Sequence, residues 1–479
     1  MIIKKTLLIL LAIIIAACLK ASASDVNVKD FGAKGDGHTL DSPAINAAID
    51  HCAQQGGGTV VLPAGNYLSG SIHLKSNIEL HLTPGATIIA TDERGAYDPS
   101  EPFGGPEYQD GGHTYFHNSL IWAEGQTNVS ITGRGMIDGR GLTRHDTETA
   151  GQVQGGSIGT GDKAIALKLC RNVLIRDITI YRGGHFAIII TGCDFATIDN
   201  VLIDTNRDGI DIDCCRFTTV SNCKINTPHD DALVLKSSYA LKRPVICENI
   251  LIANCLVTGY KVGTVLDATY VPEKVNWVCG RIKLGTESNG GYRNITITGC
   301  NCFYSSGLAL EVVDQGKMEN IVVSNISMSH VHHYPIYITT GCRNRGPKER
   351  TDVSSARDIQ ISNVTIDDCD SLSGIQITGM PGHPVENIRL SNIQIRYRGG
   401  MQRHVPTDYP ELGTKYPEPA KFLGTCPAYG LFARHVRGLQ LSHVTFMLDA
   451  PDSRPSIITD DVQGLVMDHV DTPDGKGAP

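Results

Sequence analysis

Along most of this chain the apolar residues alternate with polar ones in short bursts, and the bursts share one phrase. It runs Asn–apolar–x–apolar–x–Asn/Gly–x–x–apolar: "NVSITGRGMI" from Asn128, "NVLIRDITI" from Asn172, "TTVSNCKI" from Thr218, "NILIANCLV" from Asn249 and "NITITGCNC" from Asn294. Further copies follow as "NIVVSNISM" from Asn320, "DIQISNVTI" from Asp358, "NIRLSNIQI" from Asn387, "GLQLSHVTF" from Gly438 and "GLVMDHVDT" from Gly464. A period of two marks a strand with one buried face. Each copy is therefore two short strands joined by a bend, too small to bury its apolar face alone. Stacked copies bury a continuous core, the signature of a solenoid. The predicted fold is all-β, a right-handed parallel β-helix forming one domain over residues 24–479.

Before the repeats, "DSPAINAAIDHCAQQGGG" changes period. Ser42 reads as an N-cap, Pro43 as the first helical residue, and Ile45, Ile49 and Cys52 as an apolar stripe ended by glycines. A short helix there is expected to cap the open end of the solenoid.

Composition then narrows the class. The 479 residues are 41% apolar, and a net charge of −8 gives no basic face for nucleic acid phosphates. An anionic substrate must be met by a few local cations. Lys4 and Lys5, the run "TLLILLAIIIAA" and "ASA" at Ala21–Ala23 predict a signal peptide over residues 1–23 and an exported protein, periplasmic or extracellular. The alternative "IAAC" ending at Cys18 would make a lipid anchor. No further run is long enough to span a membrane, and a monomer is expected. Several of the 15 cysteines recur at one place in the repeat, Cys223, Cys255 and Cys300 among them. That points to buried ladders rather than disulfides.

One segment breaks the pattern. "NRDGIDIDCCRFTTVSNCKINTPHDDALVLKSS", from Asn206, places five aspartates in a region otherwise patterned for packing. Asp208 and Asp230 stand about one circuit apart, which predicts neighbouring levels of one face. Adjacent Asp230 and Asp231 can both face outward only if the strand breaks, as Pro228 just before them allows. Clustered carboxylates repel and raise at least one pKa, a cost more readily carried for catalysis than for packing.

These residues resemble glycoside hydrolase family 28, the polygalacturonase family. "NRDGID" is similar to its Asn-Thr-Asp-Gly-Ile/Phe-Asp motif and "HDDALVLKS" to its Gly-Asp-Asp motif. "VKDFGAKGDGHTLDSPAINAAID", "LKSNIELHLTPGATI", "GRGMIDGRG" and "GCRNRG" extend the likeness over most of the mature chain. The resemblance implies inverting hydrolysis of α-linked galacturonic acid in pectin, with no metal and no cofactor. Asp230 would be the general acid, and Asp208 and Asp231 would activate water. Asp211 and Asn206 would contact substrate. The family's Gly-His-Gly is absent, with Cys279 in the histidine's place. "RIK" (Arg281–Lys283) falls one element early, and Ala309 and Glu311 stand where that motif belongs. Substitute contacts are therefore expected from His185, His229, Lys236, Arg281, Lys283, Glu287, Arg343 and Arg345.

Long insertions at 91–118, 142–163 and 401–427 are expected to wall off one end of a groove. That favours exo action or a rhamnogalacturonan substrate among plant cell-wall polysaccharides. Trp277 and Tyr270 read equally as sugar platforms or loop packing. "HVHHY" from His330 lacks a nearby acid at ligand spacing. Two rival readings share the solenoid: a polysaccharide lyase using Lys236 as base, and a non-catalytic carbohydrate-binding β-helix.

Overall fold

The computed structural model describes residues 25–144, 159–274, 277–370, 372 and 374–473. The predicted signal peptide, Cys18 and part of the 142–163 insertion lie outside the described residues. The strands join one continuous system whose neighbours pair in parallel. In the regular middle of the molecule each circuit carries three strands, and each strand pairs with its counterpart three elements on. This is the parallel β-helix that the alternation predicts.

Two columns explain why the sequence folds this way. Ile188, Ile210, Leu233, Ile282, Leu308 and Ile336 pair successively and point into the core. The bends are made by residues in the left-handed region: Asn128, Asn172, Asn249, Asn294 and Asn320 all have φ between 55° and 58°. Asparagine tolerates that region best among non-glycine residues. Here its amide also bridges levels, with Asn172 donating to Asn128 at 2.8 Å and Asn320 to Asn294 at 2.8 Å. The repeated asparagine of the phrase is thus a bend residue and a rung at once.

The described cysteines are free, and all but Cys342 are buried. The Cys223 thiol donates to the Ile198 carbonyl on the preceding circuit, so the cysteines pack as ladders, as expected. On the outside, charges stack in register: Arg171, Asp194, Arg216, Glu248, Arg293, Glu319, Arg357, Glu386 and Arg437 pair in turn. Every neighbour in that column has the opposite sign.

Helix α1 (Ser42–Gln54) buries Ile45, Ala48, Ile49 and Cys52 against the first circuit. Its start differs from the sequence expectation by one residue. Asp41 is the N-cap and Ser42 lies inside the helix. The Asp41 carboxylate accepts from the Lys34 and Gly35 amides at 2.7 and 2.9 Å, and Ser42 Oγ accepts from Gly70 N. Tertiary contacts thus claim both side chains. No helix among the described residues is long and apolar enough to cross a membrane.

The elements that frame the acids are α2 (Gly111–Thr114), β1 (Phe186–Thr191), β2 (Asp208–Asp213), β3 (Leu233–Ser237), β4 (Ile282–Ser288), β5 (Leu308–Val312) and α3 (Pro419–Phe422). Strands β1 to β5 are consecutive rungs of one sheet.

Candidate active site

The turn between β2 and β3 decides where the aspartates point. β1 and β2 pair at an interval of 22 residues, Ile188 with Ile210, but Ile210 pairs with Leu233, one residue further. Gly209 N donates to the Asp231 carbonyl. Asp208 is therefore level with Asp231, and the extra residue, Asp230, sits in the turn before it. The register expected from Asp208 and Asp230, one circuit apart on neighbouring levels, is thus shifted by one residue.

The adjacent acids escape alternation through a local irregularity. Ala232 and Leu233 both lie in the core, and both donate their N–H to the Arg281 carbonyl, at 3.0 and 3.3 Å. Two consecutive inward residues push Asp231 outward, the re-aiming that a bulge produces. One circuit earlier, Gly209 precedes Ile210 in the same way. A Cβ on Gly209 would come within 2.4 Å of the core atom Ile225 Cγ2 and of the Ala232 carbonyl. Only glycine fits there, and Asp208 is turned out.

The three acids open onto a cleft of about 350 Å³ lined by Tyr108, Gln109, Asp110, His113, His185, Arg207, Asp208, Asp230, Asp231, Lys236, Lys283, Thr286, Glu287, Arg345 and Tyr416. Both the 91–118 and the 401–427 insertions reach it, as their length suggested. A second hollow, of about 400 Å³, runs along Asn320, Asp358 and Asn387 on another face and holds none of these acids.

Asp230 is the exposed member, with 24% of its side chain accessible against 4% for Asp208 and for Asp231. Arg207 pairs with Asp230 at 2.7 Å. Burial, followed by repulsion from Asp230, pushes the Asp208 carboxyl well above the usual carboxylate range. Asp231 goes the other way. Burial opposes its charge, but Arg281 (Nε to Oδ1, 2.5 Å) and Lys283 (3.4 Å) hold it well below that range. Two neighbouring carboxyls are thus driven apart, one keeping its proton and one shedding it.

The other expected residues fall into three groups. Lys236, Lys283, Glu287, Arg345 and His185 line the cleft. Asp211 does not line it. It is fully buried beneath the floor, where it holds the Lys236 ammonium at 2.9 Å. Arg281 is likewise buried, its guanidinium spent on Asp231, on Tyr334 OH at 2.6 Å and on Glu418 at 2.5 Å. It anchors Asp231 and is no substrate contact. Asn206 and His229 brace each other (Nδ1 to Oδ1, 2.5 Å) outside the cleft lining. Asp211 and Arg281 face internal ion-pair partners, and Asn206 and His229 face each other. Arg343 pairs with Asp314 and reaches Glu287 at 3.5 Å from behind. Glu311, lying where the family's motif belongs, is buried and pairs with Lys283 at 3.5 Å; burial pushes its carboxyl up to about 7.

Trp277 stacks on His333 at 3.7 Å, and Tyr270 packs edge-on to Tyr260 while staying half exposed. Among the described residues, none of the clusters with metal-ligand spacing includes His330, His332 or His333. Cys279 takes the place next to the acids, its thiol 3.3 Å from Asp231 Oδ1.

The functional residues missed by sequence reasoning are Asp110, His113, Arg207, Tyr416 and Glu418. Four of them lie in insertions, where no period places them. "DGGHT" carried the one available signal: an aspartate cap ahead of two glycines that permit close approach. At Gly112 a Cβ would meet His185 Nδ1 at 2.3 Å.

With this geometry established, relatives become informative. Residues 25–230 match the family model described as rhamnogalacturonase A/epimerase, pectate lyase-like. An exopolygalacturonase of Platanus acerifolia is 23% identical over 80% of this chain and 92% of its own length. A probable polygalacturonase of Vitis vinifera is 27% identical over 47% of this chain and 46% of its own. The chain thus spans about half of the second protein and nearly all of the first. The structure of a family 28 exopolygalacturonase of Yersinia enterocolitica superposes with a TM-score of 0.70 at 19% identity, covering 92% of this chain and 78% of that one. The chain is a glycoside hydrolase family 28-like protein.

Proposed function

We propose that this family 28-like protein hydrolyses α-linked galacturonic acid bonds of pectin, acting from a chain end, by a metal-free inverting mechanism. The single observation that carries the reading is the opposed electrostatics of the acid cluster. Burial and Asp230 keep a proton on Asp208, while Arg281 and Lys283 keep Asp231 ionised. Acid–base cleavage of a glycosidic bond needs one carboxyl of each kind.

Asp230 is assigned the general acid, because it is the most exposed of the three acids in the cleft. The proton that burial and the neighbouring Asp230 hold on Asp208 is the one passed through Asp230 to the glycosidic oxygen. Asp231 is the base that takes a proton from water, and Asp208 holds that water in place. The relatives named as exopolygalacturonases and the loops at the cleft support chain-end attack. The uronate carboxylate is assigned to Arg345, the one cleft cation with 44% of its side chain exposed, and to Lys283. The N-terminal pattern supports export to meet a plant polysaccharide.

Chromatography of products from polygalacturonate and from rhamnogalacturonan fragments tests the proposal. Saturated monogalacturonate released first, and lost with Asp230→Asn, supports it. Early internal cuts overturn chain-end action, and an unsaturated product absorbing in the ultraviolet overturns hydrolysis.

A further inference from the structure

The 91–118 insertion does more than wall the cleft. Asp110 caps α2, accepting from His113 N at 3.1 Å, and the same carboxylate oxygen meets His113 Nδ1 at 2.9 Å. The other ring nitrogen, Nε2, lies 2.8 Å from Lys236 Nζ. Lys236 in turn faces Asp211 at 2.9 Å, and Asp208 and Glu287 at 3.8 Å each. Asp110, His113, Lys236, Asp208 and Glu287 all line the same cleft.

An ammonium has three hydrogens to donate, and an imidazole nitrogen without its proton can accept one. Two full cations cannot sit 2.8 Å apart in a buried site. At 2.8 Å the His113–Lys236 contact fits a single shared proton, with Nδ1–H donated to Asp110 and Nε2 accepting from lysine; against burial and Lys236, the carboxylates of Asp110 and Asp211 raise the proton affinity of the ring. Of the three ammonium hydrogens, one goes to His113, and the Asp211 carboxylate pairs with the ammonium at 2.9 Å as an ion pair. That leaves an N–H to face Asp208 and Glu287.

We propose that Asp110 and His113 are positioning residues: they fix the Lys236 ammonium so that its free N–H faces Asp208, and through it set how firmly Asp208 holds its proton. This rests on the hydrolase reading above. The charged surroundings of the pair are Asp208 and Asp211 from β2, Glu287 from β4, Asp231 ahead of β3, and His185 with Arg144 behind α2. Lys236 opposes the burial and repulsion that raise Asp208. A lysine released from His113 swings towards Asp211 and Glu287, and Asp208 then keeps its proton to higher pH.

Two variants separate positioning from mere packing. His113→Leu removes the acceptor, whereas His113→Gln keeps a polar atom close to where Nε2 stood. For His113→Leu the expected result is a basic limb of the kcat/KM profile moved to higher pH. Its kcat should fall about 10- to 100-fold, as for a misplaced catalytic group, with KM little changed. His113→Gln should restore most of both. The second readout needs no turnover: the Lys236 side-chain amine, followed by NMR of labelled lysine, should titrate differently in His113→Leu and in wild type. An unchanged Lys236 titration together with an unmoved pH profile in His113→Leu overturns the proposal. If wild-type protein cleaves no galacturonan, the substrate reading falls, and the lysine titration alone still decides this inference.

Discussion

Two regions of this solenoid handle charge in opposite ways. On the outer column from Arg171 to Arg437, each charged residue is stacked between neighbours of the other sign, and half of each pair is open to solvent: Arg216 with Asp194, Arg293 with Glu248, both at 2.6 Å. A parallel in-register sheet puts equivalent residues of successive circuits about 4.8 Å apart, so a run of like charges there would be costly, and alternation removes the cost. Along β1 to β5 the same stacking rule is broken. Asp208 lies level with Asp231, Asp230 adjoins both, and Asp211 and Glu287 are within 4 Å of the same lysine. The ladder shows what the fold does with charge when only stability is at stake. The cleft shows what it tolerates when burial holds protons in unusual places.

The comparison can be broken most severely in the cleft. Asp230→Asn should lower kcat about 100- to 10,000-fold, the usual worth of a general acid, while leaving the melting temperature close to that of wild type. Release of galacturonate checks it. Next comes Arg281→Met, which strands Asp231 and Glu418 as buried charges. A loss of about 3–5 kcal/mol is expected from removing one partner of a buried ionic cluster, read from denaturant unfolding. A bend of the outer wall costs less: Asn294→Ala places a Cβ residue without its amide rung at φ 57°, for about 1–2 kcal/mol. The smallest effect belongs to the ladder itself. Arg293→Ala should leave the melting temperature close to that of wild type, because exposed ion pairs contribute little.

Acid sharpens the same contrast. Asp231 is held below its ordinary 3.8 in the folded state, against burial, by Arg281 and Lys283. Its ion pairs therefore contribute stability in full above that value and lose it as pH falls below. Asp208, raised by burial and Asp230, behaves in the opposite sense: its folded-state proton favours the native form at low pH and ceases to as pH rises past its folded value. Asp231→Asn should accordingly flatten the loss of stability between about pH 5 and 2, and melts across that range check it.

Much of this was legible in the chain. The two-residue alternation and the recurring asparagine foretold strands and bends, because each circuit repeats the same local physics. The acid trio was legible because it violates that pattern. The details that escaped are those set by single-residue geometry or by long range. One added residue between Ile210 and Leu233 shifts Asp230 out of level, and no periodicity resolves a shift of one. Asp41 replaces Ser42 as the helix cap because each side chain answers to a different neighbour. Arg281 was visible as a cation beside the acids, but its engagement by Glu418, 137 residues away in sequence, lies in a loop with no repeat to place it. Asp110 and His113 escaped for the same reason.

The most direct measurement is the product of the first cuts in polygalacturonate, separated by size and followed for unsaturation, with wild type and Asp230→Asn side by side. The account predicts saturated monogalacturonate from wild type and almost none from the variant. Unsaturated product, or equal release by both proteins, would contradict it.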